Sequence, residues 1–220
     1  DPGRGVPGLA GTAGLLTIPA LTGEPGLQHG FSVARPLDRS EAATAGMVHG
    51  ARVARVEAAG VTVDGVDGLV SDRAGLPLLA SFADCYPVIA YDARRGAVGL
   101  AHAGWRGTAA GIAGELVLAL EREFGCRPGD LVAGIGPGIC GRCYQVGPEV
   151  ASRFNGFARP DAEGRFRLDL MAANRAQLEV AGVPAASIHV QGACTFESPD
   201  LPSHRRRPDG ARFYCLVELR

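Results

Sequence analysis

The sequence contains no lysine, so every strongly basic side chain is an arginine. The 22 arginines are offset by 23 acidic residues, which gives a formal net charge of −1 at pH 7. A chain with no excess of positive charge has no general attraction to nucleic acid or to anionic lipid. It also has no uncharged apolar stretch of the roughly 18 residues that a membrane-spanning helix needs. We therefore expect neither nucleic acid nor a membrane as a partner.

Cysteine is too sparse for a disulfide scaffold, with six residues in a chain of 220. The N-terminal segment has no basic stretch followed by an apolar core, so it does not resemble a secretory leader. Both absences favour reduced thiols and a cytoplasmic protein. Apolar residues make up 46% of the chain, which is enough for a substantial core in one domain.

A polar cluster stands at the junction of a predicted strand and a predicted helix. Residues 97–100 are an apolar run typical of a buried strand, and residues 108–124 carry apolar positions at helical spacing. Between them lie His102, the single tryptophan Trp105, and Arg106. Ligand sites in open α/β sheets gather at the carboxyl ends of strands. The junction therefore predicts a functional site, with a tight turn around a packed tryptophan as the alternative.

Two other residues occupy similar places in the predicted structure. His49 lies at the entry to a strand beside Gly50, and Cys85 lies between two apolar runs, next to a proline that is expected to interrupt the strand. Two neutral imidazoles and a thiolate are a chemically reasonable ligand set for a catalytic zinc ion. Spacing alone does not show that the three residues meet, so a shared metal site at His49, Cys85 and His102 stays open beside the alternatives of a polar cap at His49 and a buried packing cysteine at Cys85.

A glycine-rich turn follows the strand predicted at residues 131–135. Gly136, Gly138 and Gly141 satisfy G-x-G-x-x-G, but Gly147-Pro148 arrives too soon for the long helix of a dinucleotide-binding unit. We interpret residues 134–141 as a loop whose backbone amides hold substrate.

The same turn contains one C-x-x-C pair, Cys140 and Cys143. A structural zinc site would need a second pair, and Cys194 and Cys215 stand alone in the sequence. A redox role would need a thioredoxin-like βαβ pattern, which is missing around the pair. We therefore expect the two cysteines to be small packing residues.

Five segments of the chain closely resemble the YfiH family, also called multicopper polyphenol oxidoreductase or laccase-domain proteins. Their order and spacing agree over roughly residues 29–219, and the A-H-A-G-W-R-G and A-D-C-x-P-V blocks are the most specific. The segments are Val48-His49-Gly50, residues 83–88, residues 101–107, residues 134–137 and residues 143–147.

This resemblance implies a fold and a chemistry. The fold is a single mixed α/β domain of the α+β class, with sheets flanked by helices, related to the catalytic domain of cytotoxic necrotizing factor. It would occupy residues 29–220, after a lead-in and edge strand at residues 1–28. The implied metal is zinc, held by His49, Cys85 and His102. The implied activity is phosphorolysis of adenosine, inosine, guanosine and methylthioadenosine, with deamination of adenosine.

Phosphorolysis needs a cationic or amide-rich pocket for phosphate, for which Arg106 and the 134–141 loop are the candidates. Asp84 is expected to orient a ligand, act as a base or cap a turn. The expected partners are a purine nucleoside and phosphate. The full candidate set is Cys85, His102, Asp84 and Arg106 for catalysis and Trp105, Gly136, Gly138 and Tyr144 for substrate binding.

Chemistry ranks the other activities attached to the family. A laccase needs several copper centres rich in imidazole, and five histidines make such a set hard to build. The H-x-E and P-C-x-x-C signature of zinc deaminases is absent, so deamination here would use a different scaffold. Zinc is therefore the preferred metal, and copper is the alternative. The alternative enzymes are a Cys85–His102 hydrolase acting on cell-wall precursors and a copper-dependent polyphenol oxidase.

The chain departs from the family pattern before His49. The region is shorter than usual and lacks an R-x-G-G-V-S loop, and Met47 stands where glutamine is usual. This departure puts the substrate list in doubt more than the metal site, and it motivates a third hypothesis, a non-catalytic metal-binding or partner-binding protein.

Overall fold

The computed structural model describes residues 16–33 and 39–220. Over these residues the chain forms five α-helices and fourteen strands. The helices are α1 (Pro19–Thr22), α2 (Trp105–Ala109), α3 (Ile112–Phe124), α4 (Pro148–Ala151) and α5 (Leu170–Val180). The strands are β1 (Leu27–Ser32), β2 (Ala43–Gly46), β3 (Val53–Arg55), β4 (Thr62–Asp64), β5 (Gly68–Ser71), β6 (Leu78–Phe82), β7 (Tyr86–Asp92), β8 (Ala97–Ala103), β9 (Val132–Ile135), β10 (Gln145–Val146), β11 (Ala158–Pro160), β12 (Phe166–Leu168), β13 (Ile188–Val190) and β14 (Phe213–Leu219).

The strands form two large mixed sheets and one small one. The six-stranded sheet has the order β13-β9-β7-β8-β5-β3, with parallel pairs at its two edges and antiparallel pairs between them. The five-stranded sheet has the order β1-β14-β6-β2-β4, and β10, β12 and β11 form the small antiparallel sheet. This combination of mixed sheets and helices confirms the expected fold class.

The six-stranded sheet is buried on both faces. Successive side chains of a strand point to opposite sides, so each central strand contributes to two cores. In β7, Val88 packs in the core shared with helix α3, whereas its neighbour Ile89 packs in the core shared with the five-stranded sheet. Helix α3 buries Leu116 and Leu120 on the first face. The central strands are therefore fixed from both sides, and the turns at their ends are held rigidly.

Two local expectations differ from the structure. The helix predicted over residues 108–124 is divided into α2 and α3 by Gly111, whose φ is 91°. Pro87 does not interrupt its strand: it is the second residue of β7, and its carbonyl accepts a hydrogen bond from Gly136 N at 2.8 Å. A proline is tolerated in a strand where its nitrogen is not required as a ladder donor.

The lead-in predicted for residues 1–28 falls partly outside the described residues. Its described part contains α1 and a bridge between Leu16 and Phe31, which places one residue of the predicted first strand against β1. Ile18 and Leu21 are fully buried. Among the described residues, no helix has both the length and the apolar character needed to cross a membrane.

Candidate metal centre and active site

The three predicted metal ligands meet at one end of the six-stranded sheet. One ligand atom from each of His49, Cys85 and His102 lies within 4.8 Å of the other two. The imidazole centroids are 5.0 Å apart and the rings are inclined by 76°. His49 is exposed, Cys85 is half-buried and His102 is buried. The cluster therefore has one side open to solvent, from which a substrate can approach.

Strand pairing explains why the cysteine and the second histidine are adjacent. Strands β7 and β8 are antiparallel, with Tyr86 opposite Ala103 and Pro87 opposite His102. Cys85 directly precedes β7, so it lies beside the end of β8 that carries His102. His49 reaches the same place from the loop between β2 and β3, where its backbone has a φ of 61°.

Asp67, the residue before β5, holds this arrangement together. Its carboxylate accepts hydrogen bonds from the amides of Val48 (3.1 Å), His49 (2.9 Å) and Gly50 (2.7 Å). It also contacts Nδ1 of His102 at 3.1 Å. Burial alone would raise the pKa of Asp67, but the hydrogen bonds from His102 and the amides hold it below its usual value. One buried carboxylate thus fixes both the loop of His49 and the ring of His102.

The two imidazoles have opposite electrostatic environments. Burial disfavours the charged form of His102, but hydrogen bonds with Asp67 and Cys85 outweigh it and raise the pKa to about 9. The pKa of His49 is lowered by the partial desolvation of its ring and by the nearby charge of His102, with a smaller contribution from Arg106. Because an ionised carboxylate only accepts hydrogen bonds, Nδ1 of His102 donates to Asp67 and Nε2 is left for a ligand.

The donor set suits a zinc ion. Two imidazole nitrogens and one thiolate are ligand types that zinc prefers, and catalytic zinc sites use three protein ligands with one position open. Gly104 leaves space beside the sulfur of Cys85, because a Cβ at position 104 would lie 2.8 Å from Sγ of Cys85. The carboxylate behind His102 is the outer-shell partner commonly found for metal-binding histidines.

Asp84 lies in the turn immediately before Cys85, with a φ of 83°. One carboxylate oxygen accepts a hydrogen bond from Thr195 Oγ1 (2.7 Å) and the other accepts from the amide of Arg205 (2.7 Å). Its backbone carbonyl accepts from the amide of Ile139 (2.9 Å). All three contacts connect the turn of Cys85 to other loops, so they support the turn-capping alternative that the sequence left open.

Two arginines stack on aromatic rings near the cluster. The guanidinium carbon of Arg106 lies 4.4 Å from the ring centroid of Trp105, and that of Arg205 lies 5.2 Å from the ring centroid of Tyr144. Burial raises the pKa of Tyr144 to about 12, and the charges of Cys85 and both arginines also act on it. Trp105, Arg106 and Tyr144 therefore lie near the cluster, together with Arg205.

Gly136 and Gly138 have a different environment from the one expected. The amide of Gly136 donates to the carbonyl of Pro87, and that of Gly138 donates to the carbonyl of Ala193. A Cβ at position 136 would lie 2.5 Å from the ring of Phe31, and one at position 138 would lie 2.5 Å from the ring of Tyr86. These amides are used inside the protein, and the glycines are required by close packing.

The C-x-x-C pair is not isolated in the folded chain. Cys194 and Glu197 lie beside Cys140 and Cys143, with one ligand atom of each within 4.8 Å of the others. The expectation that Cys194 stands alone is therefore wrong. That expectation was based on the distance along the sequence, but the parallel pairing of β9 with β13 brings the turns after these two strands together in space.

The family model for multi-copper polyphenol oxidoreductase laccase matches residues 31–220. The chain belongs to this family. A solved member, the hypothetical protein YfiH of Bacillus licheniformis, superposes with a TM-score of 0.79 at 35% identity and covers 83% of this chain and 76% of its own. The resemblance that the sequence motifs carry is thereby confirmed.

Curated relatives have enzymatic names. The purine nucleoside phosphorylase YlmD of Geobacillus stearothermophilus is 40% identical over 177 residues, covering 72% of this chain and 65% of the relative. The adenosine deaminase RL5 of an unknown prokaryotic organism is 39% identical over 141 residues, covering 60% and 53%. The matches span about half to two thirds of the length of such relatives.

Sequence reasoning missed Asp67 and Arg205 as parts of the site. Asp67 was visible only as the first residue of an Asp-Gly turn signal, and Arg205 only as part of a short basic run. Neither pattern indicates which strand end the side chain will face. Their roles depend on the pairing of β5 with β8 and on the path of the loop before β14.

Proposed function

We propose that this chain is a zinc-dependent purine nucleoside phosphorylase with an accessory adenosine deaminase activity. Its substrates would be adenosine, inosine, guanosine and methylthioadenosine, each converted to free base and sugar 1-phosphate. The observation that carries the proposal is the convergence of His49, Cys85 and His102 around the carboxylate of Asp67. The names of the curated relatives support the substrate class.

The residues around the cluster suit the reactants. In phosphorolysis a phosphate oxygen attacks the anomeric carbon of the ribose while the bond to the base nitrogen breaks, so an anionic nucleophile must be held close to the sugar. Arg106 and Arg205 supply positive charge beside the cluster, each stacked on one face of an aromatic ring. A purine would stack on the other face of Trp105 or Tyr144. A zinc ion held by His49, Cys85 and His102 would supply Lewis acidity.

The test compares His102→Ala with His189→Ala, a control on the partly exposed strand β13. Metal is measured by elemental analysis, and base release from adenosine and inosine is followed with and without phosphate. We expect wild type and the control to release base only with phosphate. His102→Ala should lose one zinc equivalent and the activity. If zinc-loaded and zinc-free wild type both leave these nucleosides unchanged, the proposal is wrong.

Deamination and phosphorolysis of adenosine can be distinguished by their products in the same reaction mixtures. Adenosine that is deaminated yields inosine and ammonia, whereas phosphorolysis yields adenine and sugar 1-phosphate. We expect both product pairs from adenosine, in line with the relative named adenosine deaminase. Absence of ammonia under all conditions would remove the deaminase part while leaving the phosphorylase part intact.

A second candidate function has its own observation. Cys85, His102 and Asp67 are also arranged as a thiol, an imidazole and an orienting carboxylate, the order of groups in covalent cysteine hydrolases. Such an enzyme would act without metal and would be inactivated by thiol alkylation. Hydrolysis of cell-wall precursors by chelator-treated protein, lost after alkylation of Cys85, would favour this function over the nucleoside enzyme.

A further inference from the structure

A second cluster of potential metal ligands lies where two loops meet. The turn after β9 contributes Cys140 and Cys143, and the turn after β13 contributes Cys194 and Glu197. One ligand atom of each lies within 4.8 Å of the other three. The loops are joined by a parallel bridge between Gly138 and Cys194, so the cluster is part of the fold.

Each loop presents its ligands with the same spacing. Cys140-x-x-Cys143 and Cys194-x-x-Glu197 both place two ligands three residues apart, the short spacing found in structural zinc sites. The sequence supplies the second pair that such a site needs, but with glutamate in place of a fourth cysteine. The cysteines are free thiols rather than disulfides.

The two turns contact each other through the residues of the cluster. The amide of Cys140 donates to Sγ of Cys194 at 3.3 Å. The thiol of Cys143 donates to Oε1 of Glu197 at 3.3 Å. The two residues from one turn therefore face the two residues from the other.

Two arginines stand next to this cluster. The guanidinium of Arg142 makes two hydrogen bonds to the Glu197 carboxylate, one of them from Nε to Oε1 at 2.6 Å. Arg206 donates to the carbonyls of Thr195 and Phe196, both at 2.9 Å, and so fixes the loop between the two ligands. A carboxylate oriented in this way resembles the hydrogen-bonded carboxylate ligands of metal sites.

We propose that Cys140, Cys143, Cys194 and Glu197 form a second metal site that binds a structural Zn²⁺ ion. Each thiol would bind as thiolate and release its proton to solvent, so the affinity would fall as pH decreases. Four protein ligands complete a tetrahedral zinc site and leave no position for substrate. The site would clamp the turn after β9 to the turn after β13, and it is separate from the cluster of His49, Cys85 and His102.

Metal counting separates the two sites without using activity. Zinc-loaded wild type should contain about two zinc ions per chain, Cys194→Ser about one and His49→Ala about one. The matched control is Cys126→Ala, which removes a buried cysteine outside both clusters and should keep two. A wild type with one zinc ion that Cys194→Ser retains would overturn the proposal.

Cobalt substitution identifies the ligands. The remaining cobalt ion in His49→Ala should show intense sulfur-to-cobalt charge-transfer absorption and the visible bands of a tetrahedral site. These bands should be lost when Cys194→Ser is added. Bands that persist in the double variant would show that the cysteine is not a ligand.

A measurement on wild type avoids the risk that a variant fails to fold. Zinc-loaded and chelator-treated proteins are alkylated, and the labelled peptides are quantified by mass spectrometry. Cys140, Cys143 and Cys194 should be protected by zinc and should react after chelation. Equal labelling in both states, or a disulfide between Cys140 and Cys143 in the zinc-loaded protein, would contradict a metal site. A result here is independent of whether nucleosides are turned over.

Discussion

Replacing Asp67 by asparagine tests whether one buried carboxylate organises the active site. The aspartate accepts three backbone amides and the His102 ring, two donors on each oxygen. Asparagine has nearly the same shape but only one acceptor oxygen, and its NH₂ group would face donors. In either orientation of the amide, two of the four hydrogen bonds are lost and the charge that strengthens the others is removed.

The size of the effect follows from these contacts. A hydrogen bond to a charged group contributes about 1.5–3 kcal/mol. The lower end applies here, because Val48 is 59% exposed and water can solvate amides of this loop. Two lost bonds then cost about 3 kcal/mol of unfolding free energy, or a fall in Tm of about 6–12 °C for a chain of this size. Loss of the partner that orients His102 should also weaken metal binding about 10–100-fold.

Two assays measure the two effects separately. Thermal unfolding is followed on zinc-depleted protein, so that metal binding does not stabilise the native state. The zinc affinity of the site at His49, Cys85 and His102 is then measured by competition with a chromophoric chelator. His102→Ala, which removes this site, identifies its contribution. The matched control is Asp64→Asn, which changes an exposed aspartate three positions away. An Asp67→Asn variant with wild-type Tm would refute the energetic argument, and a lower Tm with unchanged zinc affinity would refute the orienting role.

Two further substitutions test the space and the charge at the site. Gly104→Ala places a Cβ 2.8 Å from Sγ of Cys85, so zinc affinity should fall. The control Gly129→Ala, whose added Cβ meets nothing within 4 Å, should leave zinc affinity unchanged. Equal affinities in the two variants would show that the space beside Cys85 is not needed for metal binding. Arg106→Gln should raise KM for phosphate more than KM for inosine and keep the zinc content. The exposed Arg122→Gln control should change neither constant, and an unchanged phosphate KM in Arg106→Gln would exclude that arginine from phosphate binding.

The metal cluster could be predicted from the motifs that resemble a known family, whereas the residue types of His49, Cys85 and His102 alone left a shared site open. That they meet depends on strand pairing, which spacing does not reveal: the register of β7 with β8 brings Cys85 to His102. Asp67 could not be predicted, because an Asp-Gly pair is a common turn signal and its partners belong to the loop before β3 and to β8. The identity of the metal stays a prediction.

The glycine-rich turn shows why a local motif is a weak guide. Glycines that approach a ligand and glycines that approach an aromatic ring are indistinguishable in sequence, since both lack a side chain for the same steric reason. Here Gly138 faces the ring of Tyr86, whose hydroxyl donates to the carbonyl of Ile139 at 2.8 Å. The motif thus serves the packing of the turn against β7.

Asp84 connects the two clusters. Asp84 precedes Cys85, its backbone carbonyl accepts a hydrogen bond from Ile139, and its carboxylate accepts one from Thr195. Ile139 directly precedes Cys140, and Thr195 directly follows Cys194, so both partners belong to the loops of the proposed structural zinc. An ion that clamps those loops would therefore also fix the turn that presents Cys85. On this argument the loss of the structural zinc in Cys194→Ser should weaken metal binding at His49, Cys85 and His102, although none of the three is altered.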